Sequence, residues 1–141
     1  MPSFRSRILT FFCRIPAFLP LGVLYVLSDV MAFMAHRVFR YRVATVRDNL
    51  RQCFPDKTEK ELRTIERRFY RNFTDYVVET VKLLHISDKT VMRRMTFTGV
   101  DIMDNYVAQG RDIVVYFSHT GNWEWAPAVR LYSRFAEEDA G

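Results

Sequence analysis

The sequence predicts an α/β chain: an N-terminal membrane helix and amphipathic helices, then the first βαβα part of a mostly parallel open sheet, truncated there. Three observations carry this expectation. Ile15 to Ala35 is a 21-residue apolar stretch whose only formal charge is Asp29. Residues 58–85 repeat apolar side chains at helical spacing. Asp112 to Phe117 is apolar at both parities, as suits a strand covered on both faces. The boundaries that follow are 1–36 for membrane attachment, 37–90 for an amphipathic helical region and 91–141 for the start of the α/β domain.

The first stretch is long enough to cross the hydrocarbon layer as a helix. Pro16 and Pro20 lie near its start, where a helix tolerates them. Tyr25, Ser28, Asp29, Ala32 and His36 recur at helical spacing and form a weakly polar stripe, which suits either headgroups or packing on the rest of the protein. A charged Asp29 at the bilayer centre would cost about 2.5 to 3.5 kcal/mol, and less near an end. The stretch is too long for an ordinary signal core and its cleavage pattern is poor, so retained attachment is expected. Arg37, Arg40, Arg42, Arg47 and Arg51 outnumber the arginines before it, so the body is expected on the cytoplasmic side; because both flanks are basic, a helix that dips into one leaflet is also allowed. His36 is read as a residue at the interface.

Val43, Val46, Leu50 and Phe54 then mark a short amphipathic helix ended by Pro55. Thr58-Glu59-Lys60-Glu61 matches a capping box. The helix it opens runs to about His85, with Leu62, Ile65, Phe69, Phe73, Tyr76, Val77, Val81 and Leu84 as one apolar face. Lys60, Arg63, Arg67 and Arg71 line another face. That stripe suits lipid phosphates or an acidic carrier protein, or is a solvated face paired internally with Glu59 and Glu66.

From residue 86 strand and helix are expected to alternate. Met92 to Phe97 reads as a short strand, Asp101 to Gln109 as a helix stopped by Gly110, Asp112 to Ser118 as a buried strand and Trp123 to Phe135 as the next helix. Two strands leave an apolar edge unpaired, so the chain is expected to be an amino-terminal fragment of a longer protein.

A chain of 141 residues with 12 Phe, 7 Tyr and a net charge of +5 suits a lipid-associated protein with acidic partners. No nucleic-acid module is visible, so nucleic acid is not an expected partner. Cys13 and Cys53 form neither a metal pattern nor a disulfide framework.

The chemistry concentrates in Ser118-His119-Thr120-Gly121-Asn122-Trp123-Glu124-Trp125. Gly121 permits a sharp turn and Asn122 suits an N-cap. His119 then sits at the carboxyl end of the buried strand, where open α/β sheets place ligands. Glu124, in the first helical turn, reaches back to hold the tautomer of a general base and stabilise its imidazolium. A metal hydrolase fits less well, because no third ligand stands near these two residues.

His119-Thr120-Gly121-Asn122-Trp123-Glu124 resembles the His-x4-Asp/Glu block of the lysophospholipid acyltransferase superfamily, and its Gly-Asn-Trp-Glu form is similar to the late lipid A acyltransferases, the lauroyl and myristoyl transferases. The apolar N-terminus, Asn49-Leu50 followed by Phe54-Pro55, and the helical segment from Gly99 to Gly110 agree. The resemblance covers nearly all of this chain but only the first half of the family's usual length. It implies His119 and Glu124 as catalytic residues and Gly121, Asn122 and Trp123 beside the substrates. It implies acyl carrier protein as partner and thioester donor, a lipid A precursor as acceptor, no cofactor or metal, and a place on the cytoplasmic face of the bacterial inner membrane. Enzymes acting on other glycolipids or phosphatidylinositol mannosides share the block. A non-catalytic, membrane-attached interaction protein is the alternative of another class.

Overall fold

The structure, a computed structural model, describes residues 15–118 and 120–135. The chain divides into two compact units, Met1–Lys82 and Leu83–Gly141.

In the first unit, residues 15–18 are helical and Pro20 then precedes α1, Leu21–Phe33. The helix continues as a wider π turn, Met34–Val38. Two left-handed residues, Arg40 (φ 48°) and Arg42 (φ 54°), reverse the chain into α2, Val43–Cys53. The long α3, Glu59–Lys82, begins at the capping box: the Thr58 N–H donates to Glu61 Oε2 at 2.9 Å, and the Glu61 N–H donates to Thr58 Oγ1 at 3.4 Å. It tightens into a 3₁₀ turn at Leu83–His85, where the sequence places its end.

Helices α1 and α3 pack antiparallel, because partners run in opposite orders along them. Tyr25 donates to Glu79 at 2.7 Å, Ser28 to Thr74 at 2.9 Å and Asp75 at 2.6 Å, Arg71 to Asp29 at 3.0 Å, and His36 pairs with Glu66 at 2.6 Å. Lys82 Nζ closes the far end by donating to the carbonyls of Ala17 (2.7 Å) and Leu19 (3.0 Å), both next to the Pro20 break. The polar stripe of α1 therefore packs on protein. Its partners on α3 are Glu66, Tyr70, Thr74 and neighbours.

This pairing corrects the expected face of α3. The buried stripe is Leu62, Glu66, Tyr70, Thr74 and Val78, whereas Phe69, Phe73 and Leu84 are exposed. Polar groups dock together because each finds a partner in the seam, and burying them unpartnered would cost more than leaving phenylalanines outside. The outer side of α1 is apolar and uncovered: Val23, Val26, Val30 and Phe33 are all exposed.

The second unit contains α4, Asp88–Arg94, α5, Val100–Ala108, and a 3₁₀ segment, Trp123–Tyr132. Here the βαβα parallel sheet is overturned: among the described residues 72% are helical and none lies in a strand. The expected Met92–Phe97 strand is partly α4, because Ser87 caps that helix by accepting from the Thr90 N–H at 3.3 Å, and Arg93 and Arg94 suit its C-terminal turn. Residues 112–118 carry no ladder, and Val114 and Tyr116 stand exposed. A strand exists only through its neighbours, and the described residues supply none. The expected helix of residues 101–109 is present, and Gly110, at φ +69°, ends it as read. Its Asp104 is a buried anchor: the Ser133 hydroxyl donates to it at 2.6 Å and the Arg134 N–H at 3.1 Å. Tyr132 donates to the carbonyls of Met92 (2.9 Å) and Met95 (2.7 Å).

Candidate functional site

The motif segment is organised by its glycine and two tryptophans. Gly121 adopts φ +68°, a left-handed conformation that side chains resist, with open space where a Cβ would stand. Ser118 donates to Thr120 across the turn at 3.1 Å. Asn122 occupies the N-cap position of the 3₁₀ segment but makes no side-chain capping bond, and the following turns are 3₁₀ where an α-helix is expected. Pro127 lies inside them and can donate no backbone hydrogen bond, which disfavours continuation as a regular α-helix. Glu124 sits in the first turn as expected, half-buried. Trp125 is buried and Trp123 is exposed beside the turn. His119 lies outside the described residues.

Among the described residues, no group of three or more His, Cys, Asp or Glu is gathered as a metal site.

A second constellation lies in the first unit. A cleft of about 370 Å³ is lined by Arg37, Arg40, Arg47, Arg63 and Arg67, with Glu66 its one carboxylate. Arg47 donates from Nε to Glu66 Oε2 at 2.8 Å and from Nη2 to Oε1 at 3.1 Å. His36 approaches the same carboxylate and stacks on Tyr70, with ring centroids 4.7 Å apart. Tyr70 in turn donates its hydroxyl to the Tyr41 carbonyl. Burial alone pushes the Glu66 carboxyl up, but the hydrogen bonds from Arg47 and His36 outweigh it and hold the group below the ordinary value of 4.5.

The sequence displays both arginine groups, one as flanking charge after the apolar stretch and one as a stripe on α3. It does not join them. Glu59 and Glu66, internal partners of the stripe in its reading as a solvated face, instead bind Arg51 and Arg47 of α2. His36, read as an interfacial residue, is a packed member of this network.

The apolar helix, the arginine-rich helical unit and the His119-to-Glu124 sequence motif together point to one family. The chain belongs to the bacterial lipid A biosynthesis acyltransferases, whose family pattern it matches over residues 5–134. That match includes the whole segment from His119 to Glu124. No curated protein and no solved structure matches the chain.

Proposed function

We propose that the protein transfers a fatty acyl chain from acyl carrier protein to a hydroxyl of a lipid A precursor, at the cytoplasmic face of the bacterial inner membrane. The family match across residues 5–134 carries this reading. His119 takes the proton of the acceptor hydroxyl while the oxygen attacks the thioester carbonyl. Glu124 orients the ring and stabilises its charged form. Collapse of the tetrahedral intermediate breaks the carbon–sulfur bond, and the imidazolium returns its proton to the departing thiolate. Backbone N–H groups of the turn and the helix start are the natural donors to the oxyanion. Gly121 keeps the backbone low beside the substrates, Asn122 follows it at the substrate edge, and Trp123 lines the acyl path.

Membrane attachment draws support from Leu21–Val38, a span with mean hydropathy 1.4 and only 17% of its residues buried. An acceptor that never leaves the bilayer requires an enzyme held there.

The test is acyl transfer by the complete protein in membranes. His119→Ala is expected to abolish transfer with the helical circular dichroism unchanged, and Glu124→Gln to lower kcat more than KM. A His119→Ala enzyme as active as its parent defeats the general-base assignment.

A further inference from the structure

The arginine cleft has an electrostatic imbalance that calls for an anion. Five arginines converge on it against one carboxylate, and Arg47 and His36 already occupy that carboxylate. Among the described residues no carboxylate lies within 4.0 Å of Arg37, Arg40, Arg63 or Arg67. Like charges lining one cleft repel, and a bound anion offsets the repulsion. Guanidinium forks match the oxygens of a phosphate in particular. Arg40 also holds a left-handed backbone that a residue with a Cβ rarely adopts, and such strain gathers at ligand clamps.

Two further observations narrow the ligand. Arg37 and Arg67 also border an adjoining groove of about 540 Å³, walled by Ala32, Phe33, His36 and Tyr70, with the Asp29–Arg71 ion pair at its margin. Phosphate chemistry on one side and the apolar surface of Ala32, Phe33 and Tyr70 on the other match an amphiphile better than a soluble anion. The cleft also lies where the apolar span ends. Arg37 follows Phe33 by four residues, so guanidinium and exposed aromatic ring stand at the same end of the helix.

We propose that the cleft formed by the end of α1, the start of α2 and the first half of α3 binds the phosphomonoester of a membrane lipid, with an acyl chain laid along the Phe33–Tyr70 groove. A phosphomonoester presents more free oxygens and more charge than the phosphodiester of a bulk anionic lipid, so it engages more of the forks. This binding stands independently of acyl transfer at the His119 turn.

The experiment is calorimetric titration of the complete protein, in neutral detergent micelles, with dioctanoyl phosphatidic acid, dioctanoyl phosphatidylglycerol and inorganic phosphate. Phosphatidic acid is expected to bind about tenfold more tightly than either of the others, the scale of one additional charge-assisted hydrogen bond. Arg37→Gln with Arg63→Gln removes two exposed guanidiniums that hold no ion pair, and should weaken phosphatidic acid binding by about tenfold or more. Arg93→Gln with Arg94→Gln, an equal loss of charge in the second unit, should leave it unchanged. Circular dichroism of both double variants checks that they fold as the parent does.

Equal affinity for phosphatidylglycerol would reduce the cleft to a diffuse positive field and overturn the proposal. Inorganic phosphate binding as tightly as phosphatidic acid would make it a free-anion site, which also overturns it. So would a cleft variant that keeps the parent's affinity.

Discussion

Arg47 closes both arms of its guanidinium on the Glu66 carboxylate, at 2.8 and 3.1 Å, and so ties α2 to α3 across nineteen residues of sequence. The carboxylate is 2% exposed while Arg47 is 42% exposed, so the pair is buried at one end and wet at the other. His36 adds a third contact from the end of α1. One side chain thus joins the three helices of the first unit.

Removing that carboxylate should loosen all three. Glu66→Ala leaves Arg47 and His36 facing each other without their shared acceptor, and is expected to cost about 2 kcal/mol, below the full penalty for a deeply buried pair because Arg47 reaches solvent. Glu66→Gln keeps the shape and part of the hydrogen bonding and should cost less. Urea unfolding of the complete protein in micelles, followed by circular dichroism, measures both. Parental stability in Glu66→Ala would mean that the network contributes nothing to the fold.

Acid should act through the same group. Its folded pKa lies below its unfolded value near 4.5, so the native state binds protons less readily than the unfolded chain. The stabilisation is complete above the unfolded pKa and fades as pH falls through the folded one. Thermal midpoints in micelles should therefore drop as pH is lowered from 5 towards 3, on the order of the acid range of a shifted carboxylate. Glu66→Gln should flatten that decline, and an identical slope in parent and variant would assign it to other carboxylates such as Asp104.

The α1–α3 seam makes a different prediction. Ser28 is 1% exposed and its hydroxyl bonds to Thr74 and Asp75. By hydropathy alone Ser28→Leu improves an apolar helix. In the packed structure it overfills the seam and strands two acceptors, costing about 2 kcal/mol. Val26→Leu, on the exposed side of α1, should change stability little. Equal behaviour of the two variants would show that the seam does not form.

Thr58→Ala removes the hydroxyl that accepts from the Glu61 N–H at the start of α3. It is expected to cost about 1 kcal/mol. Thr58→Asp, which can cap in the same way, should recover most of it. Thermal midpoints of the two variants decide the matter.

Local chemistry was legible wherever partners stand close in sequence. The capping box at Thr58, the stop at Gly110, the apolar helix from Leu21 and the left-handed turn at Gly121 each depend on a few neighbouring residues. The strands at residues 92–97 and 112–118 failed because alternation describes a surface suited to a sheet without supplying the second strand. The apolar face of α3 failed for a related reason. Periodicity ranks side chains by hydropathy, whereas the seam selects them by whether their hydrogen bonds can be completed.

From the sequence alone come the helices of the first unit, the capping box of α3, the apolar stretch, and the histidine-glutamate motif that the family match includes. Only the tertiary structure decided that the polar stripe of α1 faces α3, that Glu66 belongs to Arg47 and His36, and that two separate runs of arginine line one cleft. Those facts require an antiparallel pairing and a chain reversal at Arg40 and Arg42. Neither spacing nor composition encodes which residues such a reversal brings face to face.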